Sequence, residues 1–322
     1  MNARDPQVAW FGKHPAWPDF MPHFEHPPTA KPLRDWVKNG RHLVERIAPK
    51  TEERGAWLYL LSLGGDSLLY CGVIGPSRDA STNPIRIFPL TIYVPLLRRR
   101  YRRAYPLLPA YAVQAWDEMR AAYQKAMAHG EESGVLRVLK DSAPSIPAAG
   151  WGAWRRFRHD VSSVGSSDFL ATLHPEGKEK AIDLIARLAE AVAPFRDGRL
   201  GPPTLAFDLP GSGVLKTAAY QAAFWLRLCE SILGRHAGEP SLFLQPSQDG
   251  RRLGLFLREP SQADYAFLLT GIGEGGTMHR PDGEGGPLPQ GLRSATEELV
   301  ERTRSVADLF SCRWDRLVQE IR

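Results

Sequence analysis

The sequence predicts an α/β sandwich, a sheet covered by helices. Short runs rich in branched and aromatic residues recur along the chain, as strands do. Longer stretches carry apolar residues at three- and four-residue steps, as amphipathic helices do. The two kinds are interspersed from end to end, which is the pattern of a sheet buried beneath helices.

The elements follow in chain order. Residues 1–30 place Trp10, Phe11, Trp17, Phe20 and Phe24 among Pro15, Pro18, Pro22, Pro27 and Pro28. Proline at this density excludes a long helix or a central strand. Each ring gains roughly 1.5–3 kcal/mol on burial, too much for a free tail. The segment therefore reads as ordered, irregular and lying on a domain surface. Pro32 opens a helix at a first-turn position, where its missing N–H costs nothing. Leu33, Trp36, Val37, Leu43, Val44 and Ile47 form its stripe, and Pro49 ends it. WLYLLSL (57–63) and SLLYCGVIG (67–75), joined by Gly64, Gly65 and Asp66, read as a hairpin. IRIFPLTIYVPL (85–96) is a third strand, which Pro89 and Pro95 place at an edge or a bend.

Residues 107–140 are helical through Val113, Trp116, Met119, Tyr123 and Met127. Further helices cover 178–193 and 215–234. Strands are expected at 204–209, 241–246 and 252–258. The Gly/Pro-rich stretch 271–291 has too little apolar surface to offset its ordering entropy. The organisation expected is one α/β domain over 1–270 with a helical insertion at about 107–195, a flexible linker over 271–292, and a C-terminal amphipathic helix over 293–322. Leu299, Val306, Phe310, Trp314 and Leu317 on one side of that helix mean that it docks, on its own domain or on a partner.

Charge and composition narrow the function. Lys and Arg total 41 against 36 Asp and Glu, a net of +5 that is too mild to mark a nucleic-acid binder. No stretch reaches the ~18 apolar residues of a membrane helix. The start, MNARDPQVAWFGKHP, lacks the apolar core of an export signal, so the cytoplasm is expected. Cys71, Cys229 and Cys312 are widely spaced and form no CxxC pair, which suits reduced, mostly buried thiols.

Motifs of chemistry are sparse. Gly271–Gly276 matches GxGxxG, but more Gly and Pro follow where a helix N-terminus should hold the pyrophosphate. Gly211–Thr217 lies between a strand and a helix like a P-loop, but Leu215 stands where Gly should precede Lys216. Together with Asp208 this turn supports an alternative reading, a phosphate-ester hydrolase or nucleotide-binding enzyme. His14, Asp19, His23, Glu25 and His26 cluster without a metal-ligand spacing. No GxSxG or HExxH occurs. The expectation is a protein that is not an enzyme and has no cofactor, metal or catalytic residue.

The sharpest charge feature is Arg98, Arg99, Arg100, Arg102 and Arg103, five arginines in six residues. Arginine pairs bidentately with carboxylates and phosphates. An acidic protein partner, anionic lipid at the membrane periphery, or a solvated loop all fit; no nucleic-acid-binding motif accompanies the run. With Trp17 and the other N-terminal aromatics as anchors, these arginines are the candidate partner-binding residues.

Two segments resemble a known family. WFGKHPAWPDF (10–20) is similar to the FGKLPxxGDF signature of TagF, a family associated with bacterial type VI secretion. CGVIGPSRDASTNPIRIFPLTI (71–92) resembles its GVLxPSxDxxGRxFPL block. The matching residues are Phe11, Gly12, Lys13, Pro15, Asp19 and Phe20, then Gly72, Val73, Pro76, Ser77, Asp79, Phe88, Pro89 and Leu90. AAFWLRLCESILG (222–234) and PSLFLQP (240–246) are similar in style to the later half. Pro18 replaces the usual Gly, and an insertion at Ser81–Ile85 replaces Gly-Arg. The resemblance implies a three-layer α/β/α sandwich with a mixed central sheet. It also implies a non-enzymatic, post-translational regulator, a repressor of type VI secretion that binds a forkhead-associated scaffold. Apart from the resemblance, the motif residues read as fold determinants: glycines for close backbone approach, prolines for rigid turns, Asp19 and Asp79 as acceptors for backbone N–H groups.

Overall fold

The computed structural model describes residues 8–22, 30–48, 55–64, 67–82, 86–147, 152–245, 252–270, 278–281 and 287–321. Among these described residues, seven strands build one sheet: β1 (Ala9–Phe11), β2 (Trp57–Ser62), β3 (Leu68–Gly75), β4 (Leu90–Leu97), β5 (Ala206–Pro210), β6 (Ser241–Gln245) and β7 (Arg252–Phe256). Their order across the sheet is β1-β4-β3-β2-β6-β7-β5. Every ladder is antiparallel. The expected mixed sheet is reduced to one isolated parallel bridge, Phe207 to His279, because no pair of neighbouring strands is joined by a crossover in the parallel sense.

Strand side chains alternate between two buried faces, as a period of two requires. Leu58, Leu60, Leu69, Cys71, Val73, Ile92, Val94, Leu242 and Leu255 pack on one core. Trp57, Tyr59, Tyr70, Tyr93, Phe243 and Phe256 pack on the other. The first face is mainly aliphatic, though Trp10 and Phe207 join it, and the second mainly aromatic, with Leu61, Leu68 and Ile74 among its rings. Both are covered, so the sheet is the middle of three layers.

The aromatic face carries a thin helical layer, α1 (Lys31–Ile47) and α9 (Gln262–Thr270). Leu33, Trp36, Val37, Gly40 and Val44, with Arg41 beside them, are the buried stripe of α1, one or two residues per turn, while Ile47 is exposed. Gly40 lets the two helices touch: a Cβ there would lie 2.3 Å from the Tyr265 ring. Trp36 donates to Pro260 O and stacks on Phe243.

The aliphatic face carries a thick layer. α2 (Arg98–Tyr101) leads by a 3₁₀ turn into α3 (Leu108–Ala128), then α4 (Glu132–Asp141), α5 (Ala153–Val161), α6 (Ser166–Leu173), α7 (Lys178–Val192) and α8 (Leu215–Leu233) follow. The helical stretch expected at 107–140 breaks at His129 and Gly130. α8 is buried nearly all round, because α10 (Gln290–Glu301), α11 (Val306–Ser311) and α12 (Leu317–Ile321) belong to a second tier that closes over it and α7. No described helix is long and apolar enough to cross a membrane.

Three expectations change. The N-terminal segment does contribute a strand, β1, which fits because it is three residues long and lies at the sheet edge. The C-terminal helix is three helices that pack on this same domain. Ser305 and Asp308 form a reciprocal capping box that starts α11 and so ends any continuous helix. Trp314 meets Phe224 of α8 edge-on, and Arg293 Nε lies 2.9 Å from Asp183 of α7. Part of the expected linker is ordered structure. Met278 is buried, and His279 exchanges two backbone hydrogen bonds with β5, donating to Ala206 O and accepting from Asp208 N. Edge strand β5 has outer polar groups to satisfy, and this segment satisfies them. Residues 271–277 and 282–286, with the GxGxxG stretch, lie outside the described residues.

Pro95 shows why β4 tolerates proline. β1 pairs only with Thr91–Tyr93 of β4. Pro95 lies past the end of that short ladder, where a missing N–H breaks nothing.

Candidate partner-binding site

The two segments that carry the resemblance meet in space. Between β3 and β4, residues 76–82 and 86–89 pair with each other, with Phe88 N donating to Ser77 O and Asp79 N to Arg86 O. The 10–20 segment also folds back, through a bridge between Lys13 and Phe20. Ala80 N then donates to Trp17 O, and Ser77 Oγ donates to Lys13 O at 2.6 Å. Gly12 has φ +135°, and a Cβ on it would stand 2.1 Å from Pro89 O. Gly72 makes a similar close approach, 2.4 Å from Ile92 O. Gly12 is required by contact between the two motif segments, and Gly72 by close approach within the second segment and to the Tyr59 ring.

At the junction lies a buried ion pair. Lys13 Nζ is 3.0 Å from Asp79 Oδ2, and neither side chain is more than 7% exposed. Arg86 Nε reaches the same oxygen at 2.8 Å, and Ser81 N donates to Oδ1 at 3.0 Å. Burial pushes the Asp79 carboxyl up, but the Lys13 and Ser81 bonds outweigh it and hold the group below the usual aspartate range. A pair buried in this way fixes geometry more than it adds stability. Lys13 also lies over the ring of Phe20, 5.1 Å from its centroid, and Phe20 meets Phe88 edge-on.

The cluster forms one wall of a groove of about 730 Å³. Lys13, Phe20, Arg86, Ile87 and Phe88 line this wall; the outer flank of α1 is the other, through Lys31, Arg34, Asp35, Lys38, Arg41, His42 and Glu45. Phe11 lies at the base. Six Lys and Arg side chains thus share one groove with two carboxylates, Asp35 and Glu45. Arg41 is buried, with Glu45 3.4 Å away at the rim. Lys31 and Lys38 are exposed and make no ion pair among the described residues.

The sequence-predicted residues divide. Phe11, Gly12, Lys13, Ser77, Asp79 and Pro89 are buried parts of the junction, while Phe20 is 47% exposed and Phe88 half-buried. Pro15 is exposed and Pro76 follows β3, its carbonyl accepting from Tyr123 Oη. Asp19 is not a turn acceptor; it stands exposed, 3.8 Å from Arg86. Trp17 is not a surface anchor: it is 6% exposed and packs edge-on to His14, since burying an indole is worth more than displaying it. Arg98 is structural. It donates to the carbonyls of Leu63 and Leu68 and lies 3.3 Å from Glu239, tying the end of β4 to β3, to the end of β2 and to the segment that enters β6. Arg99, Arg100, Arg102 and Arg103 are exposed. Arg99 and Arg102 border a second cavity of about 600 Å³, shared with Glu230 and Glu239.

Sequence reasoning missed the α1 cations and Arg86. The α1 signal was present, since Lys31, Arg34 and Lys38 recur every three or four residues away from the buried stripe, and Arg41 continues the spacing at its border. Arg86 directly follows the insertion, inside the second resembling block and two residues before Phe88, but it is not among the residues matched to the family.

The residues of other chemistry are occupied. In the Gly211–Thr217 turn, Ser212 N donates to Gln221 Oε1 and Val214 N to Ser212 Oγ, so two N–H groups a phosphate would use are taken. Asp208 is held by Arg252 through both oxygens and by Arg280 at 3.0 Å. His14 is fully buried; its Nδ1 accepts from Ala16 N, which leaves Nε2–H to donate to Ala126 O. Burial lowers its basicity. His23, Glu25 and His26 lie outside the described residues, and among the described residues no three potential ligands gather around a metal-sized space. Cys71 and Cys229 are buried free thiols, and Cys312 is half-buried. Burial pushes Cys229 up to about 12 and Cys312 up to about 11, far from thiolate reactivity.

The fold and site define an α/β/α sandwich with a cationic groove at one sheet edge. No family model matches the chain, and no curated protein does. Among solved structures the chain is similar to the crystal structure of PA0076 from Pseudomonas aeruginosa PAO1, at 14% identity and a TM-score of 0.45, over 83% of this chain and 96% of that one.

Proposed function

We propose that this protein is a non-enzymatic accessory protein of a bacterial type VI secretion system, of the TagF type. It acts in the cytoplasm as a post-translational repressor that binds and sequesters a forkhead-associated scaffold or another component of the apparatus. One observation carries the reading: the two segments that resemble the family form a single buried unit around Lys13 and Asp79, and that unit opens on a groove rather than being lost in the core. Sequestration needs no chemistry, because a bound scaffold is withdrawn from assembly by mass action. The test is co-elution of the purified full chain with the cognate scaffold in size-exclusion chromatography. A shared peak is expected; separate elution at micromolar concentrations of both would overturn the reading.

A further inference from the structure

We infer that the α1 groove is a peptide-binding site, and that its ligand is an extended acidic segment of the partner protein. The inference rests on the partner-binding reading and adds the chemistry of recognition. Three features carry it. The first is extent. From Lys31 to Arg41 the cations run ten residues along α1, about 15 Å at helical rise. One isolated anion can touch only a part of that row. A chain extended along it would place about four or five residues there.

The second feature is the mixed character of the walls. Asp35 stands among the α1 cations and Glu45 at their end. A continuous polyanion would meet these carboxylates with like charge, whereas a peptide can set a neutral residue against each. Opposite the helix, Phe20 is 47% exposed and braced by Phe88, an apolar surface for alternate side chains of the same peptide. The third feature is preorganisation. Lys13 and Arg86 are held by buried Asp79, so that wall is in place before the ligand arrives. Lys31 and Lys38, by contrast, make no ion pair among the described residues and give up none on binding.

The test uses the full chain and a fluorescein-labelled peptide of about eight residues, built from Asp, Leu and Ser. A counterpart carries Asn for every Asp, and another carries phosphoserine for Ser. Fluorescence anisotropy should show saturable binding of the Asp peptide that weakens with salt, and none of the Asn peptide. Tighter binding of the phosphoserine form would assign phosphate as the favoured anion within the same site. Lys31→Glu with Lys38→Glu should weaken the Asp peptide about tenfold or more, and Arg99→Glu with Arg102→Glu should leave it within about twofold. Should the first pair melt early, Lys31→Gln with Lys38→Gln makes the same comparison without charge reversal. Equal binding of the Asn peptide, unchanged affinity in both Lys pairs, or displacement by inorganic polyphosphate at lower concentration than by unlabelled peptide would overturn the inference. Co-elution of the scaffold with the Lys31→Glu, Lys38→Glu chain as with the unaltered chain would remove the groove and leave the accessory function standing.

Discussion

The α1 groove and the Arg98–Arg103 run are both basic, and they are built in opposite ways. The run is contiguous in sequence, yet its first arginine is used inside the fold, on two carbonyls and Glu239. Its cavity also holds Glu230, so opposite charges share the space. The groove gathers its cations from residues 13, 31–41 and 86, and no window of the sequence looks unusually basic there. Density of charge along a chain and density of charge on a surface are therefore different quantities. Only the second can recognise a ligand.

The comparison is best broken at the junction beneath the groove. Lys13→Met leaves Asp79 buried with Arg86 as its remaining cation, which should cost about 3 kcal/mol, read as a lower midpoint in urea. Lys13→Met with Asp79→Leu should be more stable than Lys13→Met alone; a double variant that is worse would show that the pair stabilises as well as positions.

Gly12→Ala comes next. It must place a Cβ 2.1 Å from Pro89 O at a positive φ, and about 2–3 kcal/mol should be lost. A melting temperature equal to that of the unaltered chain would mean that the two motif segments do not need this approach.

Arg98→Ala should cost about 1–2 kcal/mol by leaving Glu239 and two carbonyls without their donor, while Arg99→Ala and Arg100→Ala leave the melting temperature where it was. Equal effects at all three positions would erase the distinction drawn within the run.

The smallest effect expected is on pH dependence. His14 is neutral in the fold because of burial, and its Nδ1 is an acceptor that a proton would abolish. Its folded pKa lies below its unfolded value of about 6.5, so the unfolded chain takes up the proton first. The contribution is complete above that pH and is lost as pH falls through it toward the folded value. His14→Gln should flatten stability across this window in urea titrations. A second loss, from Asp79, belongs to pH below about 4, because its folded value is depressed.

Much of the fold was legible in the sequence. The stripe of Leu33, Trp36 and Val37 gave α1, and continuous apolar runs gave β2, β3 and the sheet buried on both faces. Two departures share a cause. The prolines around Trp17 predict a surface position, and the glycines around 278–281 predict a linker. Local composition reports what a segment can do alone, not what an unsatisfied edge or an open core position will accept from it. The site was half legible: the motif residues were identified, but neither their meeting nor the α1 wall.

By itself the sequence determined the periods, two in the strands and 3.6 in the helices, and hence which side chains must be buried together. It also placed glycine and proline where turns and close approaches occur. The tertiary structure alone decided that Lys13 would meet Asp79 across 66 residues and that α1 would bring its outer cations opposite Arg86. The reason is physical. Periodicity follows from local backbone geometry, whereas the pairing of distant charges depends on sheet order, and no local pattern encodes that.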